Sequence, residues 1–314
     1  IADEIGYPVL LKASAGGGGK GMRKAFSKEE IQQAFDTAKA EAKAAFGNDD
    51  LYMEKLILNP HHIEFQILAD KFGNRIQLGE RDCSLQRRNQ KLLEESPSRF
   101  LSAKLRKEMG MVAVVAADAA EYLGAGTIEF VVDEEGNYFF IEMNTRIQVE
   151  HPVTEEVTGI DLIKEQLRIA SGQKLSLKQE EVVVRGHAME CRILAEDSNN
   201  QFMPSPGTVS FLHLPSGYGV RVDSDLYTGC VTSPYYDSMI AKIIVHGETR
   251  LEAIRRMRRA LEELFIEGIK TNTDFMHLLL HHPVFLKGNY DTSFWEKYAN
   301  EIMDWECNRG KEEK

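Results

Sequence analysis

Over residues 127–150 apolar and polar positions alternate as they do in paired strands. Ile128, Phe130 and Val131 precede the turn-forming run Asp133-Glu134-Glu135-Gly136-Asn137, and Phe139, Phe140 and Ile141 follow it. Pairing Asp133 with Tyr138 predicts a β-hairpin whose loop is residues 134–137, and it sets Glu129 directly opposite Glu142. Their Cβ atoms then stand about 4.5–5.5 Å apart. Beyond Glu142 the polar positions Asn144, Arg146, Gln148 and Glu150 keep one parity, so in an extended chain they share the glutamates' face. Met143, Ile147 and Val149 take the other face, with Thr145 the polar exception.

The same reading places strands over residues 9–12, 22–26, 51–55, 61–69 and 75–80, with turns at Asn59-Pro60 and at Asp70-Lys71-Phe72-Gly73-Asn74. Ser27 and Glu30 form a capping-box pattern for a helix running to about residue 46. Residues 101–123 read as a long helix, with Leu105, Met109, Val112, Val115 and Ala119 at helical spacing. A further helix falls within residues 154–172, and the charged segment 173–181 is the expected domain boundary. Strands follow over 186–195, 208–214, 219–223 and 238–246, then an arginine-rich amphipathic helix over 249–265 and another over 272–281. The last twenty residues are polar and suggest no element. Mixed strands and helices of this kind predict an α+β fold.

Composition narrows the partners. The 314 residues suffice for two domains, and 43% hydrophobic content supports a sizeable core. With 49 acidic against 38 basic residues the net charge is -11, which argues against a nucleic-acid partner. Four scattered cysteines without a CxxC pair fit a reducing, cytoplasmic setting better than a zinc site. No apolar run is long enough to span a membrane, and no membrane partner is expected. The opening residues enter in mid-pattern without an initiating Met, which reads as the start of a fragment.

Facing carboxylates repel unless a cation lies between them. A divalent ion on Glu129 and Glu142, with Asn144 completing a hard-oxygen shell, is the direct reading, and it implies a nucleotide phosphate nearby. The loop Ala13-Ser14-Ala15-Gly16-Gly17-Gly18-Gly19-Lys20-Gly21 could cover that phosphate with backbone N–H groups, Lys12 and Lys20 supplying positive charge. It lacks P-loop spacing, and a plain mobile turn would read the same way. The basic stretch from Glu80 to Lys91 could hold an anion or form a solvated face; spacing alone does not choose.

Three stretches carry a family resemblance: Lys12 to Met22, Glu80 to Arg88, and Phe140 to Glu155 (FIEMNTRIQVEHPVTE). Gly186 to Arg192 and Pro234 to Met239 add to it. The chain resembles the biotin carboxylase component of biotin-dependent carboxylases, within the ATP-grasp superfamily, most like the subunit of bacterial acetyl-CoA carboxylase. The resemblance implies an ATP-grasp domain over residues 1–172, with a glycine-loop lid over about 1–56, and a biotin carboxylase C-terminal domain over 182–292 before a tail over 293–314. The family's N-terminal domain has no counterpart in this chain, so weak activity is expected of the chain alone.

The activity implied is carboxylation of biotin by bicarbonate, driven by ATP through carboxyphosphate. Glu129, Glu142 and Asn144 would hold Mg2+ or Mn2+. Lys12, the glycines Gly17, Gly18 and Gly19, and Lys91 would contact ATP, with Glu54 and Ile57 at the adenine and His62 and Gln86 on the ribose side. Arg146, Gln148 and the Val149 backbone would hold bicarbonate, Glu150 would be the base, and Arg192 would stabilise the biotin enolate. Asn89 stands where the family often has histidine, which touches only a nucleotide contact. Biotin carboxyl carrier protein and carboxyltransferase subunits would be partners, and a homodimer is expected. A propionyl-CoA or pyruvate carboxylase, another ATP-grasp ligase, and a non-catalytic binding piece are the alternatives.

Overall fold

The computed structural model describes residues 1–16 and 21–312, with side chains through residue 305. Gly17, Gly18, Gly19 and Lys20 lie outside the described residues. The chain divides into two compact units, residues 1–60 with 87–90, and residues 61–86 with 91 onward.

In the first unit β1 (Val9–Ala13) is flanked by β2 (Met22–Ala25) and β3 (Leu51–Lys55) in an antiparallel sheet. Helix α1 (Ile31–Phe46) lays Ala34, Ala38 and Ala42 inward, and the first two join Val9, Leu11 and Ala25 in a small core. The expected capping box is not formed. Glu30 folds its carboxylate back onto the Phe26 N–H at 2.8 Å, while its own N–H donates to Ser27 O. Residues 28–30 are thereby a turn, and the helix begins at Ile31. Lys12 and Glu54 pair at 2.7 Å, and Ile57 sits half-buried in the loop after β3.

The second unit is built on an eight-stranded sheet. Its strands are β4 (His61–Ala69), β5 (Arg75–Arg87), β6 (Gln90–Ser96), β7 (Gly124–Val132), β8 (Tyr138–Asn144), β9 (His187–Leu194), β10 (Val220–Ser224) and β11 (Met239–Gly247). They lie in the order β10-β11-β9-β6-β5-β4-β7-β8. Strands from both sides of residues 173–181 therefore share one sheet. The stretch from Glu80 to Lys91 runs through β5 into β6; it is buried from Glu80 to Leu85 and exposed at Arg88, Asn89 and Gln90, so it is not a solvated face along its length.

Helix α2 (Ala103–Ala119) starts two residues later than expected of a helix over 101–123, because the Ser102 side chain caps it by accepting from Leu105 N–H. Its buried stripe is Met109, Gly110, Ala113 and Ala117, whereas Val112 and Val115 are 37% and 66% exposed. Close approach explains the difference. A Cβ on Gly110 would lie 3.1 Å from Gln77 and 3.3 Å from Phe65, so only small residues fit against the sheet. The expected apolar period thus meets the core at Leu105 and Met109 and leaves it at Val112, Val115 and Ala119.

The single helix expected within 154–172 is two, α3 (His151–Thr158) and α4 (Leu162–Ala170). Gly159 ends the first in a left-handed conformation at φ 71°, and Asp161 caps the second through Lys164 N–H. Helix α5 (Arg250–Glu263) buries Ala253, Ile254, Met257 and Leu261 against Met189, Cys191, Ile193, Ile243 and Val245 of the sheet. Where no element was expected, α6 (Phe294–Glu312) adds Phe294, Ala299 and Ile302 to this core. Among the described residues no helix is long and apolar enough to cross a membrane.

Candidate active site

Strand parity makes the site. In β4, Ile63, Phe65 and Ile67 join Ile128, Phe130 and Val132 of β7 in a core with α2. The intervening positions His62, Glu64, Gln66, Thr127 and Glu129 must take the opposite face. In β9, Met189, Cys191 and Ile193 face α5, so Ala188, Glu190 and Arg192 take the other side. Helix α3 covers part of that face through Val153 and Val157, which pack with Ala188 and Ile244. The result is a row of charged side chains set among buried neighbours.

Glu129 and Glu142 are cross-strand partners, as the alternation predicts, but by a different path. The turn closes between Asp133 and Asn137, with Asp133 N–H donating to Asn137 O at 3.0 Å and the Asp133 carboxylate accepting from Asn137 N–H at 2.7 Å. Tyr138 consequently pairs with Val132, one residue out of step with the expected Asp133. The register shifts between Phe130 and Glu129, which leaves Ile141 as the extra residue and brings Glu142 opposite Glu129. The Asn144 amide Nδ2 lies between the two carboxylates, 2.8 Å from Glu129 Oε1 and 3.3 Å from Glu142 Oε1.

The strand ends at Asn144, so the polar ladder beyond it is not extended as parity alone implied. Residues 145–150 bend and turn into α3, whose N-cap position is Glu150. The bend still brings the polar side chains together. Arg146 Nη1 donates to Gln148 Oε1 at 2.9 Å, and Gln148 Nε2 donates to Glu129 Oε1 at 2.7 Å. The Val149 carbonyl accepts from Lys242 Nζ at 2.9 Å. Gln86 and His62 are linked at 2.6 Å through Nδ1, which leaves His62 Nε2 to contact Glu129 Oε2 at 2.8 Å.

Ion pairs of alternating sign run through the site. Arg81 Nε donates to Glu64 Oε1 at 2.6 Å; the other oxygen of Glu64 accepts from Lys91 Nζ at 2.6 Å. Lys91 also donates to Glu150 Oε1 at 2.5 Å and lies 3.5 Å from Glu129 Oε1. Glu150 Oε2 accepts from Arg192 Nη2 at 2.8 Å, and Arg192 Nε donates to Glu94 Oε1 at 2.7 Å. Among the described residues two sets of side chains bring ligand atoms close enough to share an ion, His62–Glu64–Glu129 and Glu64–Cys83–Glu150. Lys91 contacts carboxylates of both sets, so its ammonium already neutralises them.

Burial and charge compete at each member. At Glu64 burial favours the neutral acid, but Lys91 and Arg81 outweigh it and hold the carboxyl below its usual range. Glu129 behaves alike: against burial, the His62 hydrogen bond with the charges of His62 and Lys91 holds it at about 2. Burial would lower Lys91, yet the Cys83 sulfur and the carboxylates of Glu64, Glu150 and Glu129 around it raise it well above an ordinary lysine. Arg192 is raised against burial by Glu94, Glu150 and Glu190. Glu94 goes the other way: burial pushes it up to about 7 despite Arg192.

Residues the alternation did not single out complete the site: Glu64, Arg81, Glu94 and Lys242. A charged residue between apolar strand neighbours is the signal that Glu64 and Lys242 carried, as in Ile63-Glu64-Phe65 and Ala241-Lys242-Ile243, whereas Arg81 lies inside the charged stretch from Glu80 to Lys91. Of the expected residues, His62, Gln86, Lys91, Glu129, Glu142, Asn144, Arg146, Gln148, Val149, Glu150 and Arg192 are joined by the contacts above. Lys12, Glu54 and Ile57 belong to the first unit.

Residues 1–178 match the family model described as the carbamoyl-phosphate synthase L chain, ATP binding domain, and residues 190–297 match the biotin carboxylase C-terminal domain. The chain is 58% identical over 294 residues to biotin carboxylase of a Nostoc species, a match covering 94% of this chain and 66% of the relative. It is 58% identical over 299 residues to biotin carboxylase 1 of Bacillus subtilis, covering 95% and 66%. The biotin carboxylase domain dimer of Hydrogenobacter thermophilus 2-oxoglutarate carboxylase, solved with MgADP, ADP and bicarbonate, superposes with a TM-score of 0.93 at 50% identity, covering 96% of this chain and 66% of that one. The chain thus spans just under two thirds of the length of these relatives. With an ATP-grasp fold followed by a biotin carboxylase C-terminal domain, the chain belongs to the biotin carboxylase family.

Proposed function

We propose that the protein carboxylates biotin on a carrier protein, using ATP and bicarbonate, and that carboxyphosphate is the activated intermediate. The convergence on Glu150 carries this reading. Its two oxygens are held separately, by Lys91 at 2.5 Å and Arg192 at 2.8 Å, and the side chain is 1% exposed. A buried carboxylate beside two cations is suited to take the proton of a bound anion.

The donor set fits a hard divalent cation. The carboxylates of Glu129 and Glu142 converge on Asn144 Nδ2, the place a cation would take, and a turn of the amide would present Oδ1 as a third oxygen. These residues would hold Mg2+ or Mn2+, which supplies charge neutralisation at the phosphates of ATP. Arg146 and Gln148 offer N–H donors to bicarbonate. The Val149 carbonyl is taken by Lys242, so its N–H is the group that can serve an anion. Glu150 takes the bicarbonate proton as a bicarbonate oxygen bonds to the γ-phosphorus and ADP leaves. Carboxyphosphate then breaks into carbon dioxide and phosphate, the phosphate accepts the biotin ureido proton, and the nitrogen bonds to carbon dioxide. Arg192 stabilises the enolate oxygen formed on the way. His62 and Gln86 are assigned to the ribose side and Lys91 to the phosphates. In the first unit the family pattern gives Lys12 and the glycines Gly17, Gly18 and Gly19 to the phosphates, and Glu54 and Ile57 to the adenine.

The carrier protein, carboxyltransferase subunits and a homodimeric assembly are part of the same proposal. Acetyl-CoA carboxylase is the preferred setting, with a propionyl-CoA or pyruvate carboxylase as the second. The deciding assay follows ADP release by the intact protein with ATP, magnesium, bicarbonate and free biotin. Release that requires biotin, and is lost in Arg192→Ala while nucleotide binding persists, supports the reading. Release indifferent to biotin but responsive to ammonia or an amino acid rejects it in favour of another ATP-grasp ligase. Nucleotide binding without any turnover rejects it in favour of a binding role.

A further inference from the structure

Behind Arg192 two acids are set against each other. Glu94 of β6 and Glu190 of β9 are cross-strand partners, and neither is exposed to solvent. Their Cβ atoms stand about 4.5–5.5 Å apart on such a register. Glu94 Oε1 is held by Arg192. The remaining three oxygens, Glu94 Oε2 with Oε1 and Oε2 of Glu190, are buried without a hydrogen-bond partner among the described residues. A carboxylate without a partner is costly to bury, and two facing ones cost more.

The groups around the pair do not resolve this. Glu190 is opposed on its other side by Ile244 of β11, and the cover from α3 is the apolar pair Val153 and Val157. The charged or titratable neighbours are Arg192 on β9, Lys242 on β11, Lys91 on β6, Cys83 on β5 and Glu150 at the start of α3. Lys242 is engaged by Asp223 and the Val149 carbonyl, and Lys91 by Glu64 and Glu150. Arg192 alone reaches the pair, and only at Glu94.

We propose that Glu94 and Glu190 share one proton and together act as the positioning unit for Arg192. Glu190 carries the proton and donates it to Glu94 Oε2, which leaves the negative charge of Glu94 on Arg192. A second proton discharges Glu94, and Arg192 is then held by Glu150 alone, so the pair no longer aims its guanidinium. The direction in which burial and Glu94 push Glu190, well above an ordinary carboxyl, agrees with this arrangement. The inference rests on the function proposed above for its kinetic consequence, not for the proton itself.

Two measurements on the intact protein decide it. Infrared or carbon-13 spectroscopy with labelled glutamate should show a protonated carboxyl at neutral pH that disappears in Glu190→Gln. The pH profile of biotin-dependent ADP release should have an acidic limb that stays in place in one variant and moves in another. Glu190→Gln still donates a hydrogen bond to Glu94, as the protonated Glu190 does, and leaves the limb within about half a pH unit of its wild-type position. Glu190→Leu removes the donor, makes Glu94 easier to protonate, and shifts the limb up. A purely structural role would move both limbs the same way, and that result overturns the proposal, as does absence of the protonated carboxyl. If the wild-type protein shows no biotin-dependent turnover, the proposed function fails on that ground. The carboxyl signal still decides the shared proton, and the rotation of the Arg192 guanidinium followed by NMR through the same pH range decides the positioning.

Discussion

Arg81 donates through Nε to Glu64 at 2.6 Å, with both side chains sealed from solvent. The remaining guanidinium nitrogens reach Gln66, Thr154 and Thr127, so one planar fork ties β5 to β4, β7 and α3. Because Glu64 also holds Lys91, this pair sets where the Lys91 ammonium stands. Arg81→Met should cost about 3–5 kcal/mol, since it leaves a buried carboxylate with one partner fewer. Adding Glu64→Leu should restore much of that loss. Activity should not return, because Lys91 then lacks the carboxylate that aims it. Urea unfolding and ADP-release assays on the single and double variants check both halves; recovery of activity together with stability would show that the pair is structural only.

Glu150 joins the two cations of the site, and its neutral isostere separates charge from shape. Glu150→Gln should lower biotin-dependent ADP release by roughly 10²–10⁴-fold, the range for a lost general base. Nucleotide affinity should change little, because no proposed ATP contact is removed. Rate and equilibrium nucleotide binding, measured on the same preparation, test this split. Equal losses in both would move Glu150 from proton transfer to nucleotide binding.

How much of this was legible beforehand differs from element to element. The Glu129–Glu142 pairing was readable because side-chain parity fixes which residues can meet. The route was not: a side-chain–closed turn at Asp133 and Asn137 slipped the register, and a bulge at Ile141 restored it. Arg146, Gln148 and Glu150 reach the site by a bend in the chain rather than by strand alternation. Glu64 escaped, and Arg81 was seen only as part of a charged stretch, because a charged residue in a strand is usually solvated, and only the packing of α3 over the sheet shows otherwise. The core side of α2 was read correctly at Leu105 and Met109 but misjudged beyond them, because small residues, not the largest apolar ones, meet a sheet at close range. The roles of individual site residues came from the family resemblance, since spacing alone cannot say which carboxylate is a base.

Lys242 was not anticipated, and it supports the segment that presents Gln148, Val149 and Glu150. Its ammonium donates to the Val149 carbonyl at 2.9 Å and pairs with Asp223 at 3.3 Å. Lys242→Met keeps the stem and removes the donor. The Val149 peptide then loses its tether, so the bicarbonate KM should rise about tenfold, equivalent to roughly 1.4 kcal/mol and within the range for one intramolecular hydrogen bond. The ATP KM should stay within about twofold, because a tether lost on one side of the site is not a nucleotide contact. Steady-state kinetics with bicarbonate and ATP varied in turn measure this; a larger effect on ATP would contradict the assignment.

Glu95, beside Glu94 in sequence but on the opposite face of β6, ties the strands to the helical side of the second unit. Its carboxylate accepts from His187 Nε2 at 2.6 Å, from Arg250 Nε at 2.7 Å and from the Tyr290 hydroxyl. Burial alone would raise its pKa; Arg250 and His187 outweigh burial and hold it at about 2, against 4.5 for an ordinary glutamate. A carboxyl depressed on folding stabilises the native state above its unfolded pKa, and that contribution fades as pH falls through the folded value. The window is therefore from about pH 4.5 down to about pH 2, and the stabilisation above it is on the order of 3 kcal/mol. Glu95→Gln should lower stability at neutral pH and flatten its dependence within the acidic window. Urea denaturation midpoints across that range provide the check. A variant that keeps the wild-type slope would show that another carboxyl governs acid unfolding and that the Glu95 cluster contributes packing rather than charge.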